Sequence, residues 1–504
     1  MKKINIDFKL TVLSVLLVVI LGGIIAGFPR QSTEIVEGIF GKMLDNVGAF
    51  YLWFGVGAVA LCMFIAFSKY GKIRLGENTP QYSKFRYFVM VVSAGLGSAT
   101  LYWGFLEVVY YYIGPPFGFE ACSQDAAEIA LAFNMHHYGI VPWSLYAVCA
   151  LPACYSFYIK GNKQLKISAV CETIIGQKYL KEPVKKLVDL LTLLISIGAL
   201  TITLGLSVPV ISSALVDLLG ISSSIFIDIG IVLFIASIFS LTSLVGIEKG
   251  LNNLSALNIY LCIFFMVFIF ITGPKIFILD NTISSFGKYL QEFVTMCTWM
   301  DPIKGGDFPK IWTVFYWAYW LAYAPPMVVF ITKISKGQRL KDVIFICVIG
   351  GTAGCSLFLS VLGNYSLNLQ MTGALDCAAI LSNGQGPQLI LQILKSLPFP
   401  SLSILIYILS SALFMATTMD GFAFSIASIT TKKLDPEDNP STWFRLFWCL
   451  ILTVLPLVMI YIQAPLNTLK AVALLIGIPF LIIFTAMLIS FIRRLKQDFS
   501  KKIT

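Results

Sequence analysis

Six tryptophan and tyrosine side chains fall within twelve residues: Trp312, Tyr316, Trp317, Tyr319, Trp320 and Tyr323. On a helix, Trp312, Tyr316, Tyr319 and Tyr323 follow one another at intervals of 4, 3 and 4 and so share one stripe, with Trp320 beside it. The chemistry of such a wall is non-covalent: π faces attract a cation, best of all one that has shed its water, such as a quaternary ammonium. Tryptophan and tyrosine also form belts where membrane helices meet headgroups, but a belt occupies about one turn at a helix end. This stripe runs for about three turns into an apolar segment, which favours a ligand-binding face. Support for acid–base or metal chemistry is thin. The only histidines, His136 and His137, are adjacent in a segment read as an outside loop, and the eleven cysteines contain no C-x-x-C spacing. Glu107 and Asp420 are the mid-span carboxylates, read as satisfying helix ends or gating contacts. The expectation is a protein that is not an enzyme and carries no resident cofactor.

The elements that position these rings must lie in a bilayer. With 58% hydrophobic and 12% charged residues and a mean hydropathy of +0.84, the 504-residue chain is far from the composition of a soluble globule. Apolar runs at 10–28, 49–68, 87–113, 138–159, 187–215, 225–245, 254–271, 312–333, 343–362, 403–429, 444–462 and 471–492 read as twelve spans. A polar amphipathic stretch at 281–296 reads as an interfacial helix. The first run is followed by Gly27-Phe28-Pro29-Arg30 and not by a small-residue cleavage site, so it reads as a span and not a signal peptide. With the N-terminus inside, 28 of the 36 Lys and Arg lie in inside loops and 8 outside, which predicts both termini cytoplasmic. The net charge of +10 is therefore a topological signal, and nucleic acid is not an expected partner.

The third span contains Ser93-Ala94-Gly95-Leu96-Gly97-Ser98, small residues at mid-membrane. Gly95 and Gly97 either let this helix unwind beside a ligand, as in transporters built from inverted five-span repeats, or let two helices pack closely. Repeats at 87–271 and 310–492, preceded by two spans at 10–68, would make residues 1–504 a single transmembrane domain. Trp103, Tyr110, Tyr111 and Tyr112 come after the glycines and add further rings.

The strings W-T-V-F-Y-W-A-Y-W at 312–320, D-P-I-K-G-G at 301–306, I-S-K-G at 334–337 and E-V-V-Y-Y-Y-I-G-P-P-F-G at 107–118 resemble the betaine/carnitine/choline transporter family. Within it, the Y-Y-Y and D-P-I-K-G-G surroundings are most similar to the L-carnitine/γ-butyrobetaine antiporter. The resemblance implies an all-α fold of the sodium-amino-acid symporter type, a homotrimer in the cytoplasmic membrane, and alternating access. By motif position it implies a central box of Tyr110, Tyr319, Trp320 and Tyr323 with Met327 below, joined by Trp103, Gly95 and Gly97, and an outer pathway at Trp312, Tyr316 and Trp317. Two departures concern coupling. Asn252 stands where sodium-independent antiporters carry an arginine that replaces a sodium ion, and Thr417-Thr418 resembles the paired hydroxyls that hold sodium in the symporters. Those threonines either ligate sodium as the coupling ion or bond back to their own helix. Met327 points toward the antiporter, and Tyr319 stands where many members have tryptophan. Expected cargo is carnitine, γ-butyrobetaine or glycine betaine. The alternatives are choline or another betaine carried by sodium symport, and a receptor or channel for the same ligands.

Overall fold

The computed structural model describes residues 6–77, 79–95, 97–245, 252–432 and 439–499. In chain order its helices are α1 (Phe8–Gly27), α2 (Pro29–Phe67), α3 (Lys84–Gly95), α4 (Ser98–Ile113), α5 (Gln124–His137), α6 (Ile140–Tyr158), α7 (Ile167–Ile175), α8 (Glu182–Leu219), α9 (Ile225–Val245) and α10 (Asn252–Thr272). Next come α11 (Lys275–Gln291), α12 (Phe293–Thr298), α13 (Phe315–Ile334), α14 (Leu340–Phe345), α15 (Gly351–Met371), α16 (Cys377–Ser382), α17 (Gly386–Ser396), α18 (Pro400–Ile429), α19 (Thr442–Tyr461) and α20 (Leu466–Phe499). Among the described residues there is no strand, only isolated bridges at Ile6–Thr431 and Arg74–Arg339. Among them too, nine helices are long and apolar enough to cross a membrane, eleven if each bent pair counts as one span, and Ile225–Leu241 is a shorter apolar helix.

Glycine and proline set the breaks. The α3–α4 pair bends by 71° across Gly97, whose extended backbone caps α4. The α10–α11 pair bends by 108° at Gly273-Pro274, where proline cannot continue the helix. The polar stretch read as an interfacial helix at 281–296 therefore begins earlier, at Lys275, and ends in two pieces, α11 and α12. It is tied into the protein: Asn281 donates to Asn364 of α15 at 2.6 Å, and the hydroxyl of buried Tyr289 accepts from the Ile140 backbone at 3.1 Å. Both pairs of groups are polar and partly or wholly withdrawn from water, so their mutual pairing holds α11 in place.

The packing has a two-fold pattern. Helix α13 packs on α6 while α15 packs on α4; α8 meets α18 and α9 meets α19; α20 packs on α8 while α10 packs on α18. Each partnership joins one set, α3/α4 to α10, to the other, α13 to α20, and the pattern is reciprocal: α8–α18 and α9–α19 pair like with like, while α13–α6 is mirrored by α15–α4 and α20–α8 by α10–α18. A reciprocal pattern of this kind is what the inverted repeats expected from the sequence would produce. Helices α6 and α13 are buried along most of their length, whereas α1 exposes Leu13, Leu16, Val19, Ile20 and Ile24. An all-apolar exposed helix of that kind is suited to lipid. The rings of α13 thus sit at the protein's centre, enclosed by both repeats.

Candidate functional site

The turn before α13, Pro309–Val314, is π-wound, and a wide turn of this kind shifts the angular phase of every side chain after it. The rings consequently sort onto two faces. On one, Trp103 of α4 lies 5.7 Å from Trp312 and 6.2 Å from Phe315 between ring centroids. Phe315 stacks on Tyr319 at 5.4 Å and 15°, Tyr319 meets Tyr323 edge-on at 5.3 Å, and Tyr323 meets Phe422 of α18 at 5.1 Å. This is an unbroken string of π faces from α4 to α18, and Tyr110 joins it beside Trp312 at 5.2 Å. The hydroxyls of Tyr319 and Tyr323 both reach Thr203 Oγ1 on α8, the first at 3.1 Å.

The other face carries Tyr316 and Trp320 toward α5 and α6. Trp320 lies 4.8 Å from Tyr146, 5.7 Å from Trp143 and 5.9 Å from Tyr138, and its indole N–H donates to the His137 carbonyl at 3.0 Å. Tyr316 stacks on the His137 ring at 4.6 Å and 14°, and donates its hydroxyl to Glu107 Oε2 at 2.5 Å. Glu107 of α4 is fully buried and also accepts from the Tyr111 hydroxyl. His137 Nδ1 is 3.2 Å from Glu107 Oε1, and Nε2 is 3.1 Å from Thr313 Oγ1. A buried carboxylate requires such partners. The two histidines are therefore not in an outside loop: α5 folds inward and its buried alanines, Ala126, Ala127, Ala130 and Ala132, allow close contact with α4, α11 and α15.

At the Trp312 end of the first face, an ammonium is already in place. Lys470, one turn into α20, is only 3% exposed. Its Nζ lies 3.3 Å from the centre of the Trp312 ring, 5.0 Å from that of Phe315 and 5.7 Å from that of Trp103, and donates to the Ile311 carbonyl at 3.2 Å.

Residues 9–500 match the model of the betaine/carnitine/choline family transporter. The chain belongs to this family. A carnitine transporter of Acinetobacter baumannii is 36% identical over 499 residues, which cover 99% of this chain and 90% of that one. An uncharacterized transporter of Escherichia coli strain K12, YeaV, is 35% identical over 443 residues, 88% of this chain and 92% of that one. A solved structure of a Na+-coupled sialic acid symporter in a substrate-bound, outward-open state aligns over 86% of each chain at 13% identity with a TM-score of 0.49. Family and relatives are transporters, so this chain is a multi-pass membrane transporter and not an enzyme.

In the transporter, the ring set expected from motif position is spread along α4 and α13. Tyr110 sits with Trp312 and Trp103 at one end of the string, Tyr319 and Tyr323 lie further along it, and Trp320 faces away toward α6. Trp317 lies on the α2 side of α13. It is buried against the α2 glycine Gly55 and the ring of His136, 5.2 Å away. Tyr316 bonds Glu107 and also lies 6.1 Å from Trp103 and 5.1 Å from Phe315, so it borders both the Glu107 cluster and the string. Met327 is buried one turn beyond Tyr323.

The two glycines play different parts. A side chain on Gly95 would run into the ring of Trp143, which is also what keeps Gly351 small, whereas Gly97 faces open space. Close packing is thus the role of Gly95, and the break belongs to Gly97. Thr417 donates back to the Phe414 carbonyl at 2.9 Å, an arrangement that leaves its oxygen free to accept, and Thr418 is half-buried. Asn252 is the first residue of α10, and its side chain lies outside the described residues.

Sequence reasoning missed Lys470, Thr203, Phe315 and the Glu107–His137 cluster. The signal for Lys470 was present: it is one of the few basic residues assigned to the outside, at the start of an apolar run.

Proposed function

We propose that this transporter carries a quaternary (trimethyl)ammonium compound such as carnitine, γ-butyrobetaine or glycine betaine across the cytoplasmic membrane by alternating access. The observation that carries the reading is the ring string from Trp312 to Phe422 with an ammonium resting on the Trp312 face at 3.3 Å. Faces that hold a desolvated lysine ammonium offer the same attraction to a trimethylammonium head, which is more easily stripped of water. Membership of the betaine/carnitine/choline family and the 36% identity to a carnitine transporter agree with that ligand chemistry. Thr203, between the Tyr319 and Tyr323 hydroxyls, is suited to orient a carboxylate or hydroxyl on the same cargo once the hydroxyls reorganise. The fold has two inverted repeats around the string, the arrangement in which one repeat rocks against the other about a fixed site.

The test is uptake of labelled carnitine, γ-butyrobetaine, glycine betaine and choline into proteoliposomes, with sodium present or replaced by potassium. Saturable uptake of at least one trimethylammonium compound, blocked by an excess of the unlabelled compound, is the expected result. Absence of saturable uptake for the whole panel would overturn the reading.

A further inference from the structure

Lys470 is buried, belongs to α20, and places its ammonium against rings from α4 and the π-wound turn before α13. A lysine buried this deeply ordinarily has a carboxylate in hydrogen-bond contact, because an unpaired ammonium loses its hydration without return. Among the described residues, Lys470 Nζ has one hydrogen-bond acceptor, the Ile311 carbonyl, and no ion-pair partner. Glu107 attracts it only across the ring cluster and is occupied by Tyr111, Tyr316 and His137. What holds the charge is therefore the set of aromatic faces. They form the same kind of cage that a quaternary ammonium requires. The lysine side chain is long and flexible and sits at the beginning of its helix, so its ammonium can leave along the stem's reach toward the helix end.

We propose that Lys470 is a tethered occupant of the cage made by Trp103, Trp312 and Phe315, displaced when a quaternary ammonium cargo takes those rings. It is an intramolecular competitor that sets affinity at this end of the string. The proposal rests on the transport reading above for the nature of the cargo. The Ile311 carbonyl gives the competition its direction: it accepts from a primary ammonium, whereas a trimethylammonium has no N–H to donate. Among quaternary ammonium compounds, only the attraction of the rings and the fit beside them discriminate. The lysine keeps the cage filled and dry between cycles, so that water does not solvate the faces on which the next cargo must land.

The experiment compares wild type, Lys470→Met and Lys470→Arg in detergent and in proteoliposomes, using tetramethylammonium, glycine betaine and L-carnitine as probes. Removing the competitor while keeping the stem's length, as in Lys470→Met, is expected to tighten binding of a transported probe by roughly two- to thirty-fold, the equivalent of one cation–π contact. Lys470→Arg retains a cation and is expected to stay near wild type. A folded Lys470→Met protein with unchanged or weaker affinity would overturn the proposal, since a lysine that only anchors α20 to the Ile311 carbonyl would change thermal stability and not affinity.

A second measurement needs no Lys470 variant. Modification of Lys470 in wild type by an amine-reactive ester, read out by peptide mass spectrometry, is expected to accelerate when saturating probe expels the ammonium. A rate insensitive to a bound probe would overturn displacement. If none of the probes binds wild type, it is the transport reading that fails. Substrate-free labelling then still reads the cage, with faster modification in Trp312→Leu expected and an equal rate counting against the cage itself.

Discussion

The two faces of α13 are made of the same residue types and are held in opposite ways. On one, Tyr316 and Trp320 are fixed by directional bonds, the first to Glu107 of α4 and the second to the His137 carbonyl at the end of α5. On the other, Trp312 and Phe315 are held by ring-on-ring contact beside Lys470, while Tyr319 and Tyr323 add hydroxyl bonds to Thr203 of α8. A hydrogen-bonded ring that moves leaves a buried donor or acceptor without a partner, whereas a ring that slides against another exchanges one soft contact for the next. We therefore expect the first face to act as scaffold and the second to open around cargo. Aromatic residue type alone does not assign a transporter's pathway; the polar groups behind each ring do.

The largest effect should come from Glu107. Glu107→Ala strands the hydroxyl of Tyr316 in a buried site and leaves that of Tyr111 with His137 Nδ1 alone, at about 1–3 kcal/mol for an orphaned group. The expected outcome is a loss of roughly 1–3 kcal/mol in denaturant unfolding of the purified protein, with Glu107→Gln, which keeps an acceptor, losing much less. Equal stability of wild type and Glu107→Ala would show that the scaffold face is not locked from α4. Next in size is the packing behind that face. Gly95→Val drives a side chain into Trp143, which backs Trp320, and overpacking of this kind costs about 1–3 kcal/mol. Gly97→Ala meets open space and has an extended backbone that any residue adopts, so it should leave the yield and melting temperature unchanged. If both variants lose stability alike, the two glycines do not differ as their surroundings indicate.

A smaller effect sharpens the contrast directly. Phe315→Leu and Tyr323→Leu each remove one face from the string and should weaken binding of a transported trimethylammonium compound by roughly 0.5–2 kcal/mol, a few-fold to about thirty-fold, with little change in melting temperature. Trp320→Leu should do the reverse, lowering the melting temperature through the lost His137 bond while affinity moves less. Isothermal calorimetry beside differential scanning fluorimetry separates the two quantities. A Trp320→Leu protein of normal stability whose affinity collapses would return Trp320 to the pathway and erase the distinction between faces.

The class of the protein, the apolar runs and the importance of the 312–323 stretch were legible because each depends on local composition and spacing. The features that were not legible depended on geometry between elements. The π-wound turn before α13 changes the phase between Trp312 and the rings that follow it, and spacing counted on a regular α-helix could not register that change. His136 and His137 looked like loop residues because hydropathy averages score histidine and asparagine as exposed, while α5 is buried through its alanines. Lys470 fell on the margin of an assigned span, where a basic residue ordinarily marks a solvated helix end. Its burial against Trp312 required bringing together residues more than 150 positions apart.

The smallest expected effect concerns the ion. Phe422, at the far end of the string, and Thr417-Thr418 belong to the same helix, α18, so an ion gathered by those hydroxyls would act on the position of the last ring. A hard cation calls for several oxygens, and two threonine hydroxyls supply part of such a set. Thr417 fits this use, since its donated bond to Phe414 leaves lone pairs available. The resemblance that gives Asn252 in place of a built-in arginine points the same way. We therefore expect sodium to raise affinity for the transported cargo about five-fold, at the lower end of usual coupling. By linkage, cargo must raise sodium affinity by the same factor, because an effector acts only through its differential affinity for the states in exchange. Thr417→Ala combined with Thr418→Ala should abolish both halves of that linkage and leave the potassium-buffer affinity, set by the rings, unchanged. Asn252→Arg should give cargo exchange without sodium. Equal cargo affinity in sodium and in potassium for wild type would remove coupling from α18 and leave the ring string as the whole of the recognition site.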